Sequence, residues 1–225
     1  PNLEAVIDII YNPQRTALLL QAEKRGLKHI NGMPMLAAQA KYAAELFTGT
    51  RLDDALIEKA VDLVSKSTRN IVLIGMPGSG KSSIGKMLAS RLGMKFLDTD
   101  EMVREMTGRT PSKIIKSDGE PAFREIERQA AQEAGKRTSA VIATGGGIIL
   151  DERNIDSLRQ NGLLIFLDRS LEKLDTSGRP LSSSFEALKK LYEIRYPLYQ
   201  KYADLTIDSN SDLETTAKKI YQMIQ

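Results

Sequence analysis

Gly75-Met-Pro-Gly78-Ser79-Gly80-Lys81-Ser82-Ser83 carries the densest chemistry in the chain. The spacing Gly-x-x-x-x-Gly-Lys-Ser falls between a short apolar run, residues 71–74, and a segment patterned as a helix. Glycines let such a loop curl until successive backbone N–H groups face inward, a cradle for phosphate oxygens. The helix that follows adds its positive N-terminal end at the same place. Strand, glycine-rich loop and helix in that order are the context this phosphate-binding motif requires. In it Gly78, Ser79, Gly80, Lys81, Ser82 and Ser83 surround the phosphates; Lys81 reaches the terminal ones and the Ser82 hydroxyl ligates Mg²⁺. The sequence thus predicts binding of a nucleoside triphosphate and leaves open what receives the phosphoryl group.

Further candidates come later in the chain. Asp98 and Asp100 follow the short strand expected at 95–97, and a spacing of two puts both carboxylates on one side if the backbone stays extended. One would then hold Mg²⁺ through water while the other takes a hydroxyl proton. An N-cap by Asp100 for a helix starting at Glu101 explains the residue equally well. Gly145, Gly146 and Gly147 follow another apolar run and permit close backbone approach to a ligand, or simply a flexible turn. Arg124 sits on an amphipathic helix rich in Glu, which taken alone is an ion-pair position. Arg179 lies in a Ser/Gly-rich stretch, 176–184, with the composition of a mobile lid. Arg195 precedes an expected helix break at Pro197.

The elements that must position these residues alternate. From residue 67 onward, strand segments at 71–74, 95–97, 140–143, 163–167 and 205–207 are separated by helical patterns, which predicts a parallel sheet with helices on both faces. In such sheets ligands gather at the carboxyl ends of the strands, where every candidate falls. Residues 1–66 form a separate, smaller α/β piece. It has a buried-strand pattern at 5–11, helices at 16–24, 35–47 and 53–66 (the last capped by Asp53 or Asp54), and a short strand at 27–30. Two short strands do not make a stable sheet, so this piece reads as part of a domain. The polar stretch 65–69 marks the boundary, giving domains at 1–66 and 67–225.

Composition limits the partners. The 225 residues carry a net charge of +3 with scattered basic residues, which argues against a nucleic-acid partner. There are no cysteines, which removes thiolate metal sites and fits a reducing cytoplasm. The apolar runs are too short to span a bilayer, and Pro1-Asn-Leu-Glu has no signal-peptide character, so neither membrane nor export is expected. The sole histidine, His29, has no second histidine and reads as a surface or packing residue.

Taken together and in order, the loop at 75–82, Leu97-Asp98-Thr-Asp100, Gly119-Glu-x-x-Phe123-Arg124-x-x-Glu127, Gly145-Gly-Gly147, Arg179-Pro-Leu181 and Arg195-x-Pro-x-Tyr199 resemble the shikimate kinases over residues 70–225. The resemblance implies a P-loop kinase with a five-stranded parallel sheet that moves the γ-phosphoryl group of ATP, with Mg²⁺, to the 3-hydroxyl of shikimate. It implies shikimate binding by Asp100, Arg124, Gly146, Gly147 and Arg195. It makes Asp98 the water-mediated metal residue beside Ser82, and gives catalytic roles to Asp100, Lys81 and the lid residue Arg179. One departure stands out: the family often has an arginine early in the lid that stacks on adenine, whereas residues 174–178 contain none and Lys173 lacks a planar guanidinium. Weak purine discrimination is therefore expected. The rival readings are another small-molecule kinase, such as a gluconate kinase, and a nucleotide-binding regulatory module without catalysis.

Residues 1–66 carry a second resemblance. Tyr11-Asn12-Pro13, Thr16, Leu18-Leu19, Asn31-Gly32, Met35-Leu36, Gln39-Ala40 and Phe47-Thr48-Gly49 are similar to the carboxyl-terminal part of shikimate dehydrogenases. In that family the residues matching Tyr11 and Gln39 face the substrate. Its dinucleotide loop and catalytic Lys/Asp pair precede this region and have no match here. The resemblance thus implies an incomplete, inactive dehydrogenase segment belonging to a longer dehydrogenase–kinase fusion; an ordinary polar helix position explains Gln39 as well.

Overall fold

The computed structural model describes residues 2–174 and 185–224. The chain divides into two compact units, Pro1–Arg69 and Asn70–Gln225.

In the first unit β1 (Ala5–Ile7) and β2 (Lys28–Ile30) pair in parallel, and α1 (Ala17–Lys24) makes the crossover. Two longer helices follow, α2 (Met33–Thr48) and α3 (Ala55–Thr68). The turn between them is fixed by charge: buried Lys41 donates to Glu45 Oε1 at 2.9 Å and to Asp54 Oδ1 at 2.7 Å. Asp54 is thereby occupied, and Asp53 caps α3 by accepting the Ala55 N–H. The strand expected over 5–11 is shorter and more exposed than its pattern predicts. Asp8 accepts the Ile10 N–H and the Thr16 hydroxyl, a side-chain turn that competes with strand pairing. With only two strands in this sheet, Ile7 stays 76% exposed. The polar stretch 65–69 includes the last turn of α3, held by Gln14, which donates to the Ser65 carbonyl and the Thr68 hydroxyl. A polar helix end and a linker have the same composition, so the sequence does not separate them.

The second unit is built on β3 (Asn70–Ile74), whose residues are all buried. The remaining elements in chain order are α4 (Lys81–Leu92), β4 (Lys95–Asp98), α5 (Thr99–Thr107), α6 (Pro111–Asp118), α7 (Glu120–Gly135), β5 (Ala140–Ala143), α8 (Glu152–Arg159), β6 (Gly162–Asp168), α9 (Phe185–Tyr202), β7 (Leu205–Asp208) and α10 (Leu213–Ile224). The sheet order is β4-β5-β3-β6-β7 and every pairing is parallel.

Strand alternation splits the core into two layers. Val72, Ile74, Ile142, Leu164 and Phe166 pack with Ala131, Ile155, Leu158, Leu188 and Tyr199. Ile71, Leu73, Val141, Ile165 and Leu167 pack on the other face with Ile84, Leu88, Ala217 and Ile220. Burying one such Ile or Leu side chain is worth about 1.5–3 kcal/mol, enough to make the central strands a rigid platform. The break expected at Pro197 does not occur, since α9 continues through it to Tyr202. Tyr196 and Tyr199, flanking the proline, pack on Phe166 at ring-centroid distances of 5.6 and 5.0 Å and hold this part of α9 on the sheet.

Candidate active site

A cleft of about 500 Å³ opens at the carboxyl ends of the strands of the second unit. At one end is the loop after β3. Gly80 ends it at φ +88°, a left-handed conformation that a residue with a Cβ adopts with strain, and there α4 begins. Lys81 is 7% exposed, and its ammonium folds back over the loop to donate to the Gly75 and Met76 carbonyls, both at 2.8 Å. Gly78, Gly80, Lys81, Ser82 and Ser83 line the cleft. Ser79 does not: it is fully buried, and its hydroxyl is without a partner among the described residues. The Ser82 hydroxyl donates to Asp98 Oδ2 at 2.6 Å, joining the loop to the end of β4.

Asp98 and Asp100 both line the cleft, although not for the reason the spacing gave. The chain does not stay extended: α5 starts at Thr99, so Asp98 is the cap, accepting the Asp100 N–H at 3.0 Å, and Asp100 lies in the first helical turn. Asp98 therefore serves the helix and the site at once. Beneath them, buried Thr99 accepts the Gly145 N–H and ties α5 to the loop after β5.

The other end of the cleft is cationic. Arg124 on α7 is clamped by Glu127 Oε2 at 2.7 Å and Glu120 Oε1 at 2.6 Å, its helical neighbours three and four residues away. Glu127 is 2% exposed, and burial holds its carboxyl above the ordinary 4.5 even though Arg124 opposes the shift. The partner shows the other side of the pair. Burial disfavours the Arg124 charge, but Glu127 and Glu120 outweigh it and hold its guanidinium above its ordinary range. Arg195 on α9 is 4% exposed and lines the same cleft. Burial lowers its guanidinium below the ordinary range, and an arginine stays charged at neutral pH. Gly146 and Gly147 pass between these groups. A Cβ on Gly147 would lie 2.4 Å from Arg124 Nη1, so a side chain here would make the guanidinium shift from its place in the cleft.

The structure therefore brings Lys81, Ser82, Asp98, Asp100, Arg124, Gly146, Gly147 and Arg195 to one cleft. Arg179 lies outside the described residues, as does the lid composition at 176–184. The sequence reading missed Glu120 and Glu127, whose spacing from Arg124 was the available signal. It also missed Thr99 and Arg169. Arg169 follows β6 at the phosphate-loop end of the cleft and donates to the Lys173 and Ser209 carbonyls. In the first unit, Tyr11 and Gln39 are both exposed.

A parallel sheet carrying a glycine-rich loop before a helix, an Asp pair at the next strand end and a cluster of arginines in the same cleft has the architecture of a P-loop kinase. A family model described as shikimate kinase matches residues 77–225. Among sequence relatives, the shikimate kinase of Clostridium botulinum (strain Eklund 17B) is 40% identical over 159 residues, covering 68% of this chain and 96% of that protein. That of Rippkaea orientalis is 44% identical over 165 residues, covering 69% and 87%. Among solved structures, shikimate kinase from Acinetobacter baumannii in complex with shikimate has a TM-score of 0.68 at 35% identity, covering 72% of this chain and 96% of that one. Shikimate kinase from Aquifex aeolicus has a TM-score of 0.60 at 31% identity, covering 68% and 94%. The chain belongs to the shikimate kinase family.

Proposed function

We propose that the second unit transfers the γ-phosphoryl group of ATP to the 3-hydroxyl of shikimate, giving shikimate 3-phosphate and ADP. The observation that carries this reading is the sharing of one cleft by the Lys81 loop, Asp100 and the Arg124–Arg195 pair. Shikimate has one carboxylate and three hydroxyls. Arg124 and Arg195 grip the carboxylate through charge-assisted bonds, and the planar fork of a guanidinium fixes its orientation as well as its position. Gly146 and Gly147 bring backbone against the ring. Asp100 accepts the hydrogen bond of the reacting hydroxyl, orients it at phosphorus and takes its proton. Lys81 and the loop N–H groups collect charge on the phosphoryl oxygens, and Arg179 adds to this from the lid. No covalent intermediate on the protein is needed, so the rate rests on positioning and charge.

Ser82 and Asp98 fit Mg²⁺, since their oxygens lie 2.6 Å apart beside the phosphate loop and such hard oxygen donors suit this ion. Bound there, it would neutralise phosphate charge. The residues whose burial and hydrogen bonds are fixed by the protein do the rest. A coupled assay of ADP release with shikimate, with gluconate and with no acceptor tests the reading. Release that depends on shikimate alone is expected; release with gluconate, or equal release without acceptor, overturns it.

For residues 1–66 the reading is a segment of the carboxyl-terminal part of a dehydrogenase from a longer dehydrogenase–kinase fusion, without dehydrogenase activity of its own. What supports it is apolar surface: Ile7, Ile9, Leu46, Phe47 and Leu63 are each 68–90% exposed. Shikimate oxidation with NADP⁺ by this chain should be undetectable, and any turnover contradicts it. No helix among the described residues is long and apolar enough to cross a membrane. Work in the cytoplasm suits the ATP and Mg²⁺ this reading needs.

A further inference from the structure

Tyr199 is the largest fully buried side chain of the described residues, yet it carries a hydroxyl. Its ring stacks on Phe166 at 5.0 Å with an interplanar angle of 12°, which accounts for the ring and not for the oxygen. The hydroxyl donates to the Gly146 carbonyl at 2.6 Å. Arg195 lies one helical turn earlier on the same face of α9 and lines the cleft.

The Gly146 carbonyl and the Gly147 N–H belong to a single peptide unit. That unit is planar and trans, so its oxygen and its hydrogen point in opposite directions. Holding the oxygen toward the buried Tyr199 turns the N–H the other way, toward the cleft that Gly147 lines. Glycine on both sides of this peptide leaves its orientation poorly determined by local sterics. Something outside the loop has to set it. We infer that Tyr199 is a positioning residue for the acceptor: its hydroxyl aims the Gly147 N–H at the anionic group held by Arg124 and Arg195.

Burial holds the Tyr199 hydroxyl protonated far above neutral pH, so it remains a donor throughout the working range. The inference deepens the proposed function, since it rests on the acceptor's carboxylate occupying the pocket at Arg124, Gly147 and Arg195.

Tyr199→Phe keeps the ring and removes the donor. Tyr196→Phe is the control: it removes a hydroxyl bonded to Asp168 at 3.0 Å on the same helix, and it does not touch the glycine loop. In Tyr199→Phe the KM for shikimate should rise about five- to tenfold, the effect of one well-placed hydrogen bond. KM for ATP and kcat should stay within about twofold, and Tyr196→Phe should leave the shikimate KM unchanged. In ¹⁵N-glycine-labelled protein without ligand, the Gly147 amide should shift and broaden by microsecond–millisecond exchange in Tyr199→Phe only. An unchanged Gly147 amide overturns the inference whatever the acceptor. So does a shikimate KM within twofold of wild type, or KM values for shikimate and ATP that rise together or rise equally in both variants. If the unaltered chain fails to use shikimate, the acceptor reading falls, and the amide measurement alone still decides the role of Tyr199.

Discussion

The Ser82 hydroxyl and Asp98 Oδ2 lie 2.6 Å apart, although sixteen residues separate them in sequence. One belongs to the first turn of α4 and the other caps α5, so two helix starts and two strand ends converge where the phosphates of a nucleotide would sit. Two oxygens so close, one of them anionic, make a half-built site for a hard cation. Asp98→Asn keeps an oxygen that can accept the Asp100 N–H but removes the charge. The expected outcome is a rise of about tenfold in the Mg²⁺ concentration giving half-maximal rate, with nucleotide affinity measured without Mg²⁺ within twofold of wild type. An unaltered Mg²⁺ dependence counts against the assignment.

Asp100 lies in the first turn of α5, past the cap that Asp98 provides, and its carboxylate lines the cleft. Asp100→Asn should lower kcat by about 10²–10⁴, the usual range for a positioned acid or base, while ATP binding by calorimetry is retained. Turnover like wild type would remove Asp100 from the mechanism.

Glu127 makes stability depend on pH in a definite direction. Its folded-state value lies above the ordinary 4.5 because burial disfavours the charged form. Such a carboxyl binds its proton more tightly in the folded chain. Its contribution is complete below the unfolded value and is lost as pH rises through the folded value. Against Glu127→Gln, which does not titrate, the wild-type Tm should therefore improve steadily as pH is lowered from about 7 toward 4.5. A Tm difference that is flat with pH, or that runs the other way, contradicts this.

Lys173 and Arg169 line the cleft and are held by backbone carbonyls, and residues 174–178 carry no arginine to stack on a purine. ATP should then be preferred over GTP by less than about 100-fold in kcat/KM, or 2.7 kcal/mol. A larger preference would show that the base is read closely.

Much of this was legible in the residues themselves. The loop at 75–82 announces its chemistry because backbone geometry there depends on glycine spacing, which a sequence displays directly. The alternation of strands and helices in the second unit follows from apolar runs long enough to leave one reading. What stayed hidden was set by tertiary packing. Nothing local says that Pro197 is tolerated; that depends on Phe166 lying beneath α9. Nor does a run of apolar residues at 5–11 reveal that Asp8 will close a turn with Thr16. Asp98 and Asp100 meet in one cleft by a helical turn where an extended chain was expected, so the pairing was visible and its cause was not. Glu127 lay in plain view three residues from Arg124, but its burial comes from tertiary packing, with the glycine loop at Gly145 lying against its carboxylate.

The most direct measurement is ³¹P NMR of the chain incubated with ATP, Mg²⁺ and shikimate, with the phosphorus correlated to the protons of the product. The expected result is a single new phosphomonoester coupled to the C3 proton of the ring, appearing in step with ADP. A phosphorus signal on another hydroxyl, or ADP accompanied only by inorganic phosphate, would contradict the assignment of Asp100, Arg124 and Arg195 to the acceptor.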